Sequence, residues 1–504
     1  MGKKVIEEYY LGIDMGTGST KAVALNKEGM PFHEVQFFYD TKNSTEGYSE
    51  QDPEDIWDAF IKCVRETVRK LNRVPNAVSL SSAMHSLIIV DKNNTAITPL
   101  ITWADSRSEK IAEELRESDQ AKKIYEDTGT PIHSMTPLCK ITWFKKNEPA
   151  TFKKAAKFIS IKELIWFRLF NVYEIDTSIA SATGLFNIKD FDWNKTSLKI
   201  CGIDAEKLST IVPTVHSRKN INSATAKLMH IPGDTMIYIG ANDGCLANIG
   251  SYAIETGIAA LTIGTSGAVR IACSKPVENF DAMIFNYVLD KETFICGGPI
   301  NNGGSVIKWM FKTFLNNSAP TKEDYNKFFK MVDSISPGSE GLIFLPYLYG
   351  ERAPVWDENA AGAFFGVKPH HTLGHFLRAS VEGICYALNS ILQIIENSTS
   401  PIKQLNVSGG FINSSTWIKI LADITGKKIC LSRKEDASSI GAALLAMKTE
   451  KVIESYPTGD EDANIIHPHK KWQGMYKEYF EVYKTLYEPT KNSMHELSKI
   501  NRSL

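Results

Sequence analysis

Two stretches far apart in the chain share one grammar, and together they constrain the fold more than any other feature. Residues 11 to 25 read LGIDMGTGSTKAVAL: an apolar run ending at Asp14, a turn built of Gly16, Thr17, Gly18 and Ser19, and an alternating run after Lys21. A glycine and hydroxyl turn between two strands presents backbone N–H groups and hydroxyls where a Cβ would block approach, which suits phosphate oxygens. It is not a Walker A loop, which needs Gly before Lys and a helix after it; here Thr20 precedes Lys21, and Val23 and Leu25 continue a strand. The dinucleotide fingerprint fails as well, for want of its third glycine. Residues 259 to 275, AALTIGTSGAVRIACSK, repeat the pattern around Gly264, Thr265, Ser266 and Gly267. The copies lie roughly half a chain apart, as an internal duplication would place them; chance recurrence of so short a match stays open at this point.

A chain of 504 residues exceeds what one core holds, so at least two domains are expected. Strand-like and helix-like stretches alternate, which argues for an α/β protein. DPEDIWDAFIKCVRETVRKL opens with Asp52 as a cap before Pro53 and sets Ile56, Phe60, Val64 and Val68 at helical spacing. NAVSLSSAMHSLIIVD reads as a strand, a polar loop over Ser81 to Ser86, and a second strand. The segment from Trp472 to Ile500 reads as a helix or helix pair interrupted at Pro489, serving packing or an oligomer contact.

Lys plus Arg number 57 against 58 Asp plus Glu, so bulk charge recruits neither nucleic acid nor an anionic membrane. No apolar run approaches the roughly 18 residues a span needs. The start, MGKKVIEEYYLGID, reads as neither a signal peptide nor a myristoylation site. The eight cysteines are scattered without a C-x-x-C pair, which reads as reduced thiols of a cytoplasmic protein. KPHHTLGH gathers His370, His371 and His375 but lacks the further ligands of a zinc site, so it reads as a surface helix start.

Several residues stand where chemistry is expected. Asp243, in YIGANDGCLANIG, follows an apolar strand in a glycine-flanked turn, a place for a general base facing a ligand or for a helix cap. Gly409 and Gly410 end a strand before a helix, and Gly303 and Gly304 open another; each allows a ligand close approach or tight helix–sheet packing. GERAP sets Glu351 and Arg352 together as an ion pair.

SMTPLCKITW at 134–143 and GAFFGVKPHHTLGHFLRASVE at 362–382 resemble the two signatures of the FGGY family of carbohydrate kinases; LPYLYGERAPVWDENAAGAFFG and SGGFINSSTWIKILADI resemble further family segments. The resemblance spans nearly the whole chain. It implies an α/β architecture of two actin-like (ribonuclease-H-like) ATPase domains with an interdomain cleft. Residues 1–249 would carry sugar, first hairpin and base, and residues 250–504 the nucleotide and the terminal helix. It implies ATP and Mg²⁺ as cofactors, with Asp243 the catalytic base and Asp14 the metal ligand. Thr17, Gly18 and Lys21 would meet the β- and γ-phosphates. Gly264, Thr265, Ser266, Gly304, Gly409, Gly410 and Ser414 would hold the rest of the nucleotide. SSAMHS, ITWADSRS, TGTPIH and NNGG most resemble the gluconate-phosphorylating members, so the expected reaction is D-gluconate to 6-phospho-D-gluconate, with xylulose or another pentulose or polyol as the alternative acceptor. Where xylulose kinases show a glutamine before Met-His, this chain has Ala83. Met84, His85, Arg107, His133 and Lys140 then become the acceptor-site candidates, together with Asp243; for Arg107 and Lys140 a structural ion pair or a snorkelling side chain is the competing role. The implied partners are a small sugar or sugar acid and a second copy in a homodimer, with no nucleic acid and no membrane.

Overall fold

The hairpin grammar is realised twice, and each copy seeds the same sheet. The computed structural model describes residues 8–431, 436–459 and 464–502; the first seven residues of the amino-terminal stretch read above lie outside them. In the first sheet the strands run Ser217–Arg218, Met236–Asn242, Ala77–Ser82, Tyr10–Met15, Ser19–Leu25 and Pro31–Phe38. Tyr10–Met15 pairs antiparallel with Ser19–Leu25 across the glycine turn and parallel with Ala77–Ser82. In the second, the order is Asn464–Ile466, Lys428–Leu431, Gln404–Ser408, Ile258–Ile263, Gly267–Cys273, Phe294–Ile300 and, at the edge, Phe285–Val288. Ile258–Ile263 is again antiparallel to its hairpin partner and parallel to the next strand inward. Five neighbouring strands, Asn464–Ile466 through Gly267–Cys273, match Ser217–Arg218 through Ser19–Leu25 in position and direction, far more than a four-residue coincidence, so the recurrence is a structural repeat.

The described residues up to Ile254, with Ala272–Cys296 and Asp436–Thr458, form one compact unit; Glu255–Ile271 and the described remainder form the second. The single cut expected at 249/250 therefore falls near the first crossing, but the chain later returns to the first unit twice. The reason is packing. Helix Ala437–Thr449 lies on the first sheet, with Ile440, Leu444, Leu445 and Met447 buried, each contributing about 1.5–3 kcal/mol by leaving water. Its Ser439 carbonyl passes so close to Gly12 that a Cβ there would stand 1.8 Å from it. Gly441 and Gly250 allow the same approach between this helix and Asp243–Gly250.

Helix Pro53–Leu71 starts as expected: Asp52 accepts from Glu54 N–H, and Ile56, Phe60 and Val64 are buried. The strand that begins at Ala77 runs on through Ser81 to Ser82, two residues into the stretch read as loop. In the second unit the central helix Leu373–Ser398 is opened by a capping box between Thr372 and His375, so His375 is a buried cap partner and not a surface residue. Among the described residues no three His, Cys, Asp or Glu are grouped to hold a metal. The Glu351 carboxylate accepts from the backbone of Asn301 and Arg352 and from Asn302, and Arg352 donates to Asn301 Oδ1 and to the Ile300 carbonyl. The terminal segment is one helix, Lys470–Arg502, continuous through Pro489. Tyr476, Phe480, Tyr483 and Tyr487 are buried along it, and that packing outweighs one lost backbone bond. No helix among the described residues is long and apolar enough to cross a membrane. Of the eight cysteines, all free, only Cys273 is not fully buried.

Candidate active site

Asp14 is the fifth residue of the first hairpin strand, and the parallel pairing sets Ser81 beside it, where the Ser81 hydroxyl donates to Asp14 Oδ1 at 2.6 Å. Asp243 arrives from the next parallel strand at the same sheet end, as the first residue of helix Asp243–Gly250. The cap of that helix is Asn242, whose side chain accepts from Cys245 N–H at 2.7 Å. Asp243 is thereby released from the capping role that the sequence left open, and its Oδ1 accepts from Gly244 N–H. Burial first, and then the neighbouring Asp243 charge, push the Asp14 carboxyl up to about 7. Two carboxylates that repel each other at the ends of parallel strands fit a hard cation, which takes oxygen ligands and completes its shell with phosphate and water.

The first hairpin closes by Gly16 N–H to Ser19 O at 3.0 Å. Trp103 Nε1 donates to the Thr17 hydroxyl at 2.9 Å, and Gln51 donates to the Thr17 carbonyl. Among the described residues, apart from the chain neighbours, no atom lies within 4 Å of where a Cβ would stand at Gly18. Lys21 pairs with Asp436 at 2.5 Å and Glu34 at 3.4 Å, so its charge is already shared by two carboxylates. The loop Ala83–Ser86 is hung on the same strand end by Ala83 N–H to Met15 O, and Met84 lines a small cavity with Thr17, Gln51 and Trp103.

The four acceptor-site cations fare differently. Lys140 is fully buried and donates to three carbonyls, His85 and Thr102 at 2.7 Å and Met135 at 2.9 Å, which uses all three of its protons. Burial pushes its ammonium down to about 7. It ties three segments of the chain together. Arg107 grips Asp105 through two nitrogens at 2.8 Å, pairs with Glu50, and lies 3.7 Å from the centre of the Tyr48 ring. That is the structural ion pair, reinforced by stacking. His85, at a left-handed φ of 64, contacts the Ala182 carbonyl and the Tyr287 hydroxyl through its two ring nitrogens. His133 Nδ1 accepts from Met135 N–H, so a neutral ring carries its proton on Nε2.

In the second unit Gly264, Thr265, Gly304, Gly410 and Ser414 line one cavity of about 840 Å³, within the size range of small-molecule sites. Ser266 and Gly409 flank it in sequence. The hairpin is fixed to helix Gly304–Phe314 by Gly304 N–H to Gly264 O at 2.8 Å and Ser305 N–H to Thr265 O at 3.1 Å. Among the described residues, apart from the chain neighbours, a Cβ at Gly264 or Gly410 would meet no atom within 4 Å, whereas Gly409, at φ 104, would drive one to 2.3 Å from Ile263 O. Gly409 therefore serves the backbone and Gly264 and Gly410 leave open space. Ser414 is the cap of helix Ser415–Thr425 and accepts from Trp417 N–H. Sequence reading missed the opposite wall: Lys308, Lys322, Lys330, Tyr325, Asn326 and Phe329. Lys308 sits on helix Gly304–Phe314 and the others on the amphipathic helix Lys322–Asp333, whose pattern is that of any surface helix.

A model of the FGGY family of carbohydrate kinases matches twice, its N-terminal domain over residues 9–250 and its C-terminal domain over 259–450. The chain belongs to the FGGY family of carbohydrate kinases. Like the rest of this FGGY family, it is a phosphotransferase with an alcohol acceptor and ATP as donor, on the family's two-domain α/β fold. It is 38% identical to a gluconokinase of Bacillus subtilis (strain 168) over 94% of this chain and 93% of that one. Among solved FGGY-type structures, a gluconate kinase from Lactobacillus acidophilus superposes with TM-score 0.92 at 32% identity, covering 97% and 99% of the two chains. A ligand-bound xylulose kinase from the same organism gives 0.91, also at 32%, covering 97% and 100%.

Proposed function

We propose that the chain transfers the γ-phosphoryl group of ATP to the terminal hydroxyl of D-gluconate, giving 6-phospho-D-gluconate. The observation that carries the mechanism is the carboxylate pair Asp14 and Asp243 at one sheet end beside the glycine hairpin. Asp243 accepts the hydroxyl proton as the oxygen attacks phosphorus. Thr17 and Gly18 receive phosphate oxygens, Lys21 adds positive charge from its paired position, and the cavity of the second unit takes the adenosine. Mg²⁺, when bound through Asp14, supplies neutralisation of the phosphate charge that develops in transfer. The basic cavity wall of Lys308, Lys322 and Lys330 suits the same anionic donor.

The acceptor choice rests on gluconokinases among the relatives and on Ala83, which removes an amide suited to a sugar hydroxyl. Lys140 and Arg107 are held by protein partners, and we assign His133, with Met84 and His85, to the acceptor side. A pentulose is the second reading, favoured by the equal identity to the xylulose kinase structure. The deciding experiment is ADP release with Mg²⁺-ATP against separate additions of gluconate, xylulose, ribulose and glycerol, with the product identified. Turnover with gluconate alone is the expected result. Turnover with a ketose keeps the carboxylates in their roles and overturns the acceptor, and ADP release without any acceptor overturns the kinase reading.

A further inference from the structure

We propose that the buried ammonium of Lys162, acting with Asp176 and Ser178, is the positioning device for the Asp243 carboxylate; the inference rests on the reading of Asp243 as base. The strand Met236–Asn242 does not run straight to that residue. Its register against Ala77–Ser82 slips between Tyr238 and Ala241, and within the slip Gly240 sits at φ 65 with the Leu80 carbonyl 1.8 Å from where a Cβ would stand. A slip of this kind re-aims the residues beyond it.

Three buried side chains then fix the new direction. Lys162 Nζ donates to the Ala241 carbonyl at 2.8 Å and to Asp176 Oδ2 at 2.7 Å. Asn242 N–H donates to Ser178 Oγ at 2.7 Å, and its side-chain amide donates to the Ser178 carbonyl at 2.9 Å. Asp176 closes the ring by accepting the Ser178 hydroxyl and the N–H groups of Ser178 and Ile179. Lys162 is 1% exposed, and Asp176, Ser178 and Asn242 are 0% exposed.

A buried ion pair is a weak stability device, because desolvation cancels most of the attraction and apolar residues of equal volume do as well. What an apolar pair cannot supply is a directed proton on the carbonyl two residues before the base. Nor can it supply a fixed positive charge that acts on both Asp14 and Asp243. The ring holds two successive residues, Ala241 and Asn242, and Asn242 in turn caps the helix that begins at Asp243. The base thus stands on a rigid mount rather than on a free turn.

The test uses the full chain and whichever of the four acceptors turns over. The double variant Lys162→Met with Asp176→Asn removes both charges and leaves neither orphaned; Ser178→Ala removes the hydroxyl and Ser178→Thr restores it. The expected result is a kcat about 100-fold lower in the double variant and in Ser178→Ala, the loss that a displacement of about 1 Å brings. KM for ATP should stay within about threefold, and Ser178→Thr should recover most of the rate. A kcat within about threefold of the parent in the double variant and in Ser178→Ala, with Asp243→Asn inactive, overturns the positioning role while leaving the base in place. Near-normal turnover in Asp243→Asn overturns the base itself and this proposal with it. Should the double variant fail to fold, equal kcat in Ser178→Ala and Ser178→Thr overturns the proposal.

Discussion

Asp243→Asn keeps the shape of the side chain and removes its proton affinity. It is expected to leave nucleotide affinity within about twofold while lowering kcat by a factor on the order of 10³ or more, read by single-turnover ADP release beside equilibrium nucleotide binding. Asp14 offers a pH signature. Its carboxyl is raised to about 7, so the folded ligand-free protein holds a proton that the unfolded chain releases above about pH 4. Stability from that proton is full below pH 4 and is lost as pH rises toward 7. Asp14→Asn, neutral throughout, should therefore gain melting temperature over the parent at pH 7.5 and lose that advantage near pH 4; an unchanged difference across the range would show that the Asp14 carboxyl is not raised. His133→Ala should raise KM for gluconate about tenfold or more with kcat less affected, the pattern of a lost ground-state contact. Asp14 and Asp243 drew attention in the sequence through the family resemblance, since the local pattern alone left Asp243 open between a base and a helix cap. The partners of Lys140 were not legible there, because its three acceptors come from residues 85, 102 and 135, and no local pattern predicts that three distant carbonyls converge on one ammonium.

At the level of elements, both glycine hairpins could be read locally, since their strand–turn–strand alternation lies within about fifteen residues. The sheet order could not, because parallel neighbours such as Tyr10–Met15 and Ala77–Ser82 are joined by a long crossover. The glycines divide into two kinds that sequence alone cannot separate. Gly264→Val and Gly410→Val place side chains into open cavity, so they should fold normally and lose nucleotide binding about tenfold or more by calorimetry. Gly441→Val, by contrast, drives carbon into the Leu246 carbonyl across a helix crossing. It should cost several kcal/mol of stability, seen as a lower melting temperature or as insoluble protein.

For the whole molecule, the proposed function divides the ligands between the two units. Adding ADP alone is expected to slow hydrogen exchange at 322–333 and 410–417, the cavity walls of the second unit, and acceptor alone at 13–18 and 83–86 of the first; protection of both sets by either ligand would contradict that division. The connectivity of the first unit also has a temporal meaning. Its sheet is backed at Gly12 by a helix whose first residue is number 437, and domains ordinarily fold as they leave the ribosome, amino-terminal portion first. Here the opening strands emerge early and wait while most of the second unit is translated. Nascent chains arrested before residue 436 should thus remain protease-sensitive in residues 9–25, and chains released after 458 should not. The enzyme cannot complete its first-made domain until all but its final segment has been translated.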